Sequence, residues 1–171
     1  MTDNPVPKRR PTRILGYDYR QSGAYFVTLC TFRRKQLFGR LVDQDIHLSP
    51  IGQIVKDRWL AIAVESSHVD LDFFTIMPDH IHALISFPPS GKPIKLIVGK
   101  WKEWTAKTLG IHWQRDFFEH RLRHDESRRE KADYILHNPV RNKLVTRAED
   151  WPFVYFADGQ RPLFRQGQRF W

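Results

Sequence analysis

The stretch that most constrains this chain is residues 69–87, where two apolar runs are separated by Met77-Pro78-Asp79. From His80 onward the residues alternate. Ile81, Ala83, Ile85 and Phe87 fall on one side, and His80, His82 and Ser86 on the other, with Leu84 interrupting the polar row. A period of two belongs to a strand, in which successive side chains point to opposite faces. Val69 to Met77 reads as a second strand, and Pro-Asp is turn chemistry. A hairpin therefore sits at the middle of the chain, and any fold must be built around it. It also carries His80 and His82 on one face.

The remaining elements follow from the same reading. Ala24 to Phe32 is a strand with Tyr25, Val27 and Leu29 on one face and Phe26, Thr28 and Cys30 on the other. Its continuous apolar character predicts a central position covered on both sides. Ser49-Pro50 opens a helix, since Ser caps and Pro suits the first turn; Ile51, Ile54, Val55, Trp59 and Ile62 then recur at helical spacing. A second helix from Pro93 to Leu109 turns Ile94, Ile97, Val98 and Trp101 inward and Lys95, Lys100, Lys102 and Lys107 outward. Residues 111–123 read as irregular and extended around Phe117 and Phe118. Asp125 caps a helix from Glu126 to about His137, which Pro139 is expected to stop. Strand, helix, strand, strand, helix, strand is a ferredoxin-like βαββαβ order. The expectation is an α+β fold, an antiparallel sheet with helices on one face, the other face free for a site, and an added helix carrying Tyr134. Residues 1–20 form a basic arm, 21–156 the domain, and 157–171 a tail with Arg161, Arg165 and Arg169 four apart.

Charge narrows the partners. Lys and Arg outnumber Asp and Glu 28 to 19, giving a net charge of +9. Most of the cations are arginine, whose planar fork suits phosphate. Nucleic acid is the expected partner, against the plainer reading of a solvated basic surface. Cys30 is the single cysteine, so no internal disulfide forms. No apolar h-region follows Lys8-Arg9-Arg10, and no run approaches the ~20 apolar residues of a membrane span. The expectation is a cytoplasmic protein with no membrane partner.

Two segments carry chemistry. One is Met77-Pro78-Asp79-His80-Ile81-His82. The other is Tyr134-Ile135-Leu136-His137-Asn138-Pro139, with a phenol and a carboxamide four apart, neighbours on one helical face. The plain reading of the first is two hydrogen-bonded surface histidines, and of the second an ordinary packing tyrosine. The helical wheel speaks against the latter: Ala132, Ile135 and Leu136 form the apolar stripe, and Tyr134 and Asn138 lie roughly opposite. Asn138 precedes proline, which biases its backbone out of the α region. Two imidazoles and an amide oxygen fill three positions of a divalent cation, Mg²⁺ by abundance or Mn²⁺ by ligand type, and leave others for phosphate oxygens. A tyrosine beside them suits covalent attack on a phosphodiester, provided the phenol is activated, since it ordinarily keeps its proton to about pH 10.

The chain resembles the one-tyrosine HUH transposases of the IS200-like superfamily, and most specifically the REP-associated tyrosine transposases linked to bacterial repetitive extragenic palindromes. The resemblance lies in Met-Pro-Asp-His80-Ile-His82, in His112-Trp113-Gln114-Arg115-Asp116-Phe117-Phe118 with His120-Arg121-Leu122-Arg123, in Tyr134-Ile-Leu-His-Asn138-Pro-Val-Arg141, and in Trp151-Pro152, and spans roughly residues 15–156. It implies metal ligation by His80 and His82, with Asn138 in the third-ligand position, and Tyr134 as the nucleophile that forms a 5′-phosphotyrosine on single-stranded DNA. It further implies recognition of a DNA hairpin and an adjacent short guide sequence. Charge and proximity to these motifs make Arg33, Arg34, Lys100, Lys102, Arg115, Arg121, Arg123 and Arg141 the candidate DNA contacts. Two rivals stand beside this reading: a domesticated hairpin-binding regulator with little or no cleavage activity, and a ferredoxin-like RNA-binding protein. Whether the chain acts as a monomer or a homodimer, with its tyrosine working in cis or in trans, is open at this level.

Overall fold

The computed structural model describes residues 23–42, 45–65, 69–87, 94–122 and 125–156. The arm, the tail and Arg123 lie outside the described residues. Strands β1 (Gly23–Cys30), β2 (Gly39–Val42) and β3 (Asp45–Leu48) precede helix α1 (Pro50–Glu65). The hairpin β4 (Asp70–Met77) and β5 (His80–Phe87) follows, then α2 (Ile94–Leu109) and β6 (Phe118–Arg121). Helix α3 (Asp125–Leu136), the short α4 (Asn138–Arg141) and β7 (Val154–Phe156) complete the order.

The main sheet runs β6-β1-β5-β4-β7, and every neighbouring pair is antiparallel. Without β7, that is the βαββαβ arrangement in which the first and third strands lie at the centre. β5 begins at His80 because the Pro78-Asp79 turn ends there. Its register sets Thr28 and Thr75 on either side of His82, and Cys30 and Met77 on either side of His80.

Each sheet face has its own core. On one, Tyr25, Val27, Leu29, Ile81, Ala83 and Ile85 pack with Val55 and Trp59 of α1 and Val98 and Trp101 of α2. On the other, Phe26, Phe73 and Leu84 pack with Ala132, Ile135 and Leu136 of α3 and with Trp151. That second core explains Leu84: the apolar residue that breaks the polar row is the seat of α3. The second face is thus not left open as expected but is shared between α3 and a cleft.

Three local differences have plain causes. Residues 118–121 are a true strand, because β1 presents a free edge and pairs Tyr25 to Thr28 with Arg121 to Phe118. The hairpin β2–β3 was not expected, because the alternation of Ile46 and Leu48 in a strand of four residues is too short to mark it. Pro139 does not simply stop α3. The chain makes a turn at His137 and re-enters a helix with Pro139 in its first turn, where proline is tolerated. At the start of α1, the Ser49 hydroxyl lies 3.0 Å from the Gly52 amide, the N-cap expected of it. Gly52 itself is required by close approach: a Cβ there would lie 2.0 Å from the Phe38 carbonyl oxygen.

Candidate active site

The alternation of β5 sends His80 and His82 to the face that α3 covers. Both rings are buried, 2% and 3% exposed, and their Nε2 atoms lie 3.0 Å apart. Each Nδ1 is already engaged. That of His80 lies 2.5 Å from Asp79 Oδ1, and that of His82 lies 2.8 Å from the Thr28 hydroxyl. With those nitrogens engaged, it is the two Nε2 atoms that are presented. Asn138 Oδ1 completes the group at 3.1 Å from His80 Nε2. The Asn142 amide donates to that oxygen and to the Asn138 carbonyl, both at 2.9 Å, so it is the oxygen of Asn138 that faces the imidazoles.

Electrostatics favours a neutral His82 ring. Burial pushes the His82 imidazolium well below its ordinary range, and the nearby His80 and the Arg34 cation push the same way, against a smaller opposing hydrogen bond from Asn138. Arg34 Nε pairs with Asp79 Oδ2 at 2.8 Å. Two ring nitrogens and an amide oxygen crowded on buried residues need a proton or a cation among them. With two nitrogens, one oxygen and no carboxylate, the set fits a divalent metal with positions left over for substrate oxygens.

Tyr134 is 37% exposed while its helical neighbours Ala132 and Ile135 are fully buried. The wheel anticipated this division. The phenol ring meets His82 edge-on at 5.6 Å and Phe26 at 5.7 Å between centroids. Phe26 in turn stacks on His82 at 5.4 Å. The Arg141 guanidinium lies 4.6 Å from the centre of the tyrosine ring. Tyrosine and histidine pair therefore meet within one chain. Between them opens a cleft of about 450 Å³, bounded also by Phe118, Lys131 and Arg34.

The other candidate contacts are spread more widely. Arg33 and Arg34 form the turn after β1, and Arg34 borders the cleft. Arg141 reaches the site through the Tyr134 ring, whereas Arg121 ends β6 against Gly23. Lys100 and Lys102 lie on α2, whose buried residues pack on the opposite sheet face. The Lys102 amine is held 2.7 Å from the Gln114 carbonyl, and its burial lowers its pKa. With exposed Arg115 it borders a second cleft of about 480 Å³ beside Trp113. Nothing local in the sequence marks Thr28, Asn142, Phe26, Phe118 or Lys131 as functional, and Asp79 stands there only as part of the motif around His80. Asp79 was legible as the neighbour of His80. Thr28 and Phe26 become visible only once the register of β1 on β5 is known.

Comparison with known proteins agrees with this architecture. The family described as Transposase IS200 like matches residues 20–121. An uncharacterized protein of Haemophilus influenzae is 31% identical over 162 residues, covering 79% of this chain and 90% of its own. Another protein of that organism, provisionally named a REP-associated tyrosine transposase, is 27% identical over 158 residues, covering 81% of this chain and 82% of its own. Among solved structures, a REP-associated tyrosine transposase bound to a REP hairpin superposes with a TM-score of 0.64 at 24% identity, covering 83% of this chain and 81% of that one, which is a likeness of fold. On the match over residues 20–121 and the first relative's near-complete coverage, this chain belongs to the IS200-like transposase family.

Proposed function

We propose that this protein cuts and rejoins single-stranded DNA at hairpin-forming repetitive extragenic palindromes, through a covalent 5′-phosphotyrosine on Tyr134. The observation that carries it is the meeting of His80 Nε2, His82 Nε2 and Asn138 Oδ1 beside the Tyr134 ring. These three atoms would hold Mg²⁺ or Mn²⁺, which would supply polarisation of the scissile phosphate and charge stabilisation on its oxygens.

The chain's own residues do the rest. Asp79 and Thr28 fix the two rings, and Asn142 fixes the amide. Tyr134 attacks phosphorus: the bond from its phenolic oxygen forms, the bond to the 3′ oxygen breaks, the phenol gives up its proton and the departing 3′ oxygen gains one. Retaining the phosphate on the enzyme conserves the bond for a joining step, which attack by water would not. Arg141 and Lys131 place positive charge around the phenol and the cleft. Arg141, next to the cleft, is the contact closest to the scissile phosphate; Arg33 and Arg121 extend the path, with Lys100, Lys102 and Arg115 on the far face for the hairpin. The relative solved with a REP hairpin supports a hairpin as the ligand class.

The test is a denaturing gel of single-stranded palindromic oligonucleotides incubated with protein and Mg²⁺ or Mn²⁺. A protein–DNA adduct is expected that needs metal and vanishes in Tyr134→Phe. Tight hairpin binding without an adduct under either metal would replace the enzyme with a DNA-binding regulator.

A further inference from the structure

The segment after β1 is bent in a way its residues do not favour. Arg33 (φ 54°) and Arg34 (φ 56°) are consecutive residues in the left-handed region, which normally falls to glycine or asparagine because a Cβ crowds the backbone there. The backbone around them is fastened to the Pro78-Asp79 turn. The Thr31 amide donates to the Asp79 carbonyl at 3.0 Å, and the Leu37 and Phe38 amides both donate to the Pro78 carbonyl at 2.9 Å. The buried Thr31 hydroxyl lies 2.8 Å from the Lys35 carbonyl and 3.0 Å from that of Asp79, its one proton shared between them.

What this strained turn delivers is the Arg34 side chain. Its Nε meets Asp79 Oδ2 at 2.8 Å and its Nη1 lies 3.0 Å from Cys30 Sγ. The other Asp79 oxygen lies 2.5 Å from His80 Nδ1. A carboxylate held on one oxygen has little freedom to turn the other away. The Arg34–Asp79–His80 line therefore sets the imidazole whose Nε2 faces His82 and Asn138. Stability does not account for the arrangement. The Arg34–Asp79 pair is 44% and 18% exposed, a setting in which ion pairs contribute little, and the backbone conformation is itself unfavourable.

We infer that Arg34 is a positioning residue that acts through Asp79 to orient His80 for cation binding. The inference rests on the metal reading proposed above. It is tested on the DNA-free protein by titrating Mn²⁺ and following the electron paramagnetic resonance of the free ion, with Tm measured alongside. Arg34→Gln is expected to weaken Mn²⁺ binding about 10- to 100-fold, the usual effect of losing a partner behind a metal ligand. Its Tm should move by no more than about 4 °C, since the pair is partly exposed. Arg34→Lys keeps the charge without the fork and should recover part of the affinity. Asp79→Asn should weaken binding as much, and the double variant no further than the single ones, because both act along one line. Lys143→Gly relieves the remaining left-handed non-glycine residue among those described (φ 56°). It should raise Tm by about 2–4 °C with Mn²⁺ affinity unchanged.

In adduct formation at saturating metal, Arg34→Gln should lower kcat and leave KM for DNA unchanged. Wild-type affinity for Mn²⁺ in Arg34→Gln would overturn the inference and leave the proposed function standing; so would a rise in KM at constant kcat, the mark of a phosphate contact. A wild-type protein that binds no Mn²⁺ would overturn the metal reading and the inference together.

Discussion

Each imidazole of the pair is steadied from a different part of the chain: His82 by Thr28 on the neighbouring strand, His80 by Asp79 in the turn before it. Thr28→Val keeps the β-branched shape and removes the hydroxyl. It is expected to lower Mn²⁺ affinity about 10-fold or more while costing on the order of 1 kcal/mol of stability, read by Mn²⁺ titration and urea unfolding. Unchanged affinity would show that ring packing on Phe26 alone orients His82. The depressed pKa of His82 has a sign that can be checked. Below the ordinary value of 6.5 the unfolded chain takes up a proton that the folded one refuses, so stability falls as pH drops through that window. An NMR titration should find the His82 ring still neutral at about pH 6.5. A midpoint at or above that value would contradict its burial. At this scale much was legible: His80, His82, Tyr134 and Asn138 stand in two short motifs, and the structure brings all four together. Asn142 was not legible, because an asparagine four residues after another acquires meaning only when both lie on one helical turn beside the histidines.

At the scale of elements, the position of α3 decides whether the tyrosine meets the histidines. Two features hold it to the sheet: burial of Ala132, Ile135 and Leu136 against Phe26 and Leu84, and the Arg128–Asp72 ion pair. Magnitudes separate them. A fully buried Ile→Ala change costs about 2–5 kcal/mol, whereas a partly exposed ion pair contributes about 0–1 kcal/mol. Ile135→Ala should therefore destabilise strongly and slow adduct formation, and Asp72→Ala should do little to either, as measured by urea denaturation and the gel assay. Equal effects would mean that the ion pair, not the core, seats the helix. Gly52→Ala belongs here as well. A Cβ meeting the Phe38 carbonyl must push α1 off the segment that leads to β2, and a loss of at least about 1–3 kcal/mol is expected. The hairpin β4–β5 and helices α1, α2 and α3 were readable from periodicity and caps to within a residue or two. β2–β3 was not, because strands of four residues show too little of a period; the extended segment that closes the βαββαβ order was expected, but the bounds of β6 within it are set by the edge of β1 that it pairs with.

For the whole molecule, the net charge of +9 makes DNA binding salt-dependent. Log affinity for single-stranded DNA should fall linearly with log salt, by about 0.7 per neutralised phosphate. A flat salt response would mean that the basic surface is not the DNA path. The candidate cations are not one patch: Arg34 and Arg141 lie at the cleft beside the histidine pair, while Lys100 and Lys102 lie on the helix across the sheet. A hairpin and a cleaved strand held together would have to reach both sides of the sheet, so Lys100→Ala is expected to weaken hairpin binding without changing cleavage of a single strand already bound. Equal loss in both assays would place that lysine on the cleaved strand.

By itself the sequence determined the hairpin that carries the histidines, the helix that carries the tyrosine, and the basic character of the surface, since period, capping and charge are local properties of the chain. Only the tertiary structure decided that α3 folds back over its own sheet, so that Tyr134 meets His82 within one chain. It alone decided that Thr28, Asp79 and Asn142 hold His82 Nε2, His80 Nε2 and Asn138 Oδ1 toward one another, and that Arg34 is held in a left-handed turn beside them. Those facts depend on the register of β1 on β5 and on the core that Leu84 shares with Ala132, Ile135 and Leu136. Both are set by contacts between residues far apart in the chain, and no local pattern encodes them.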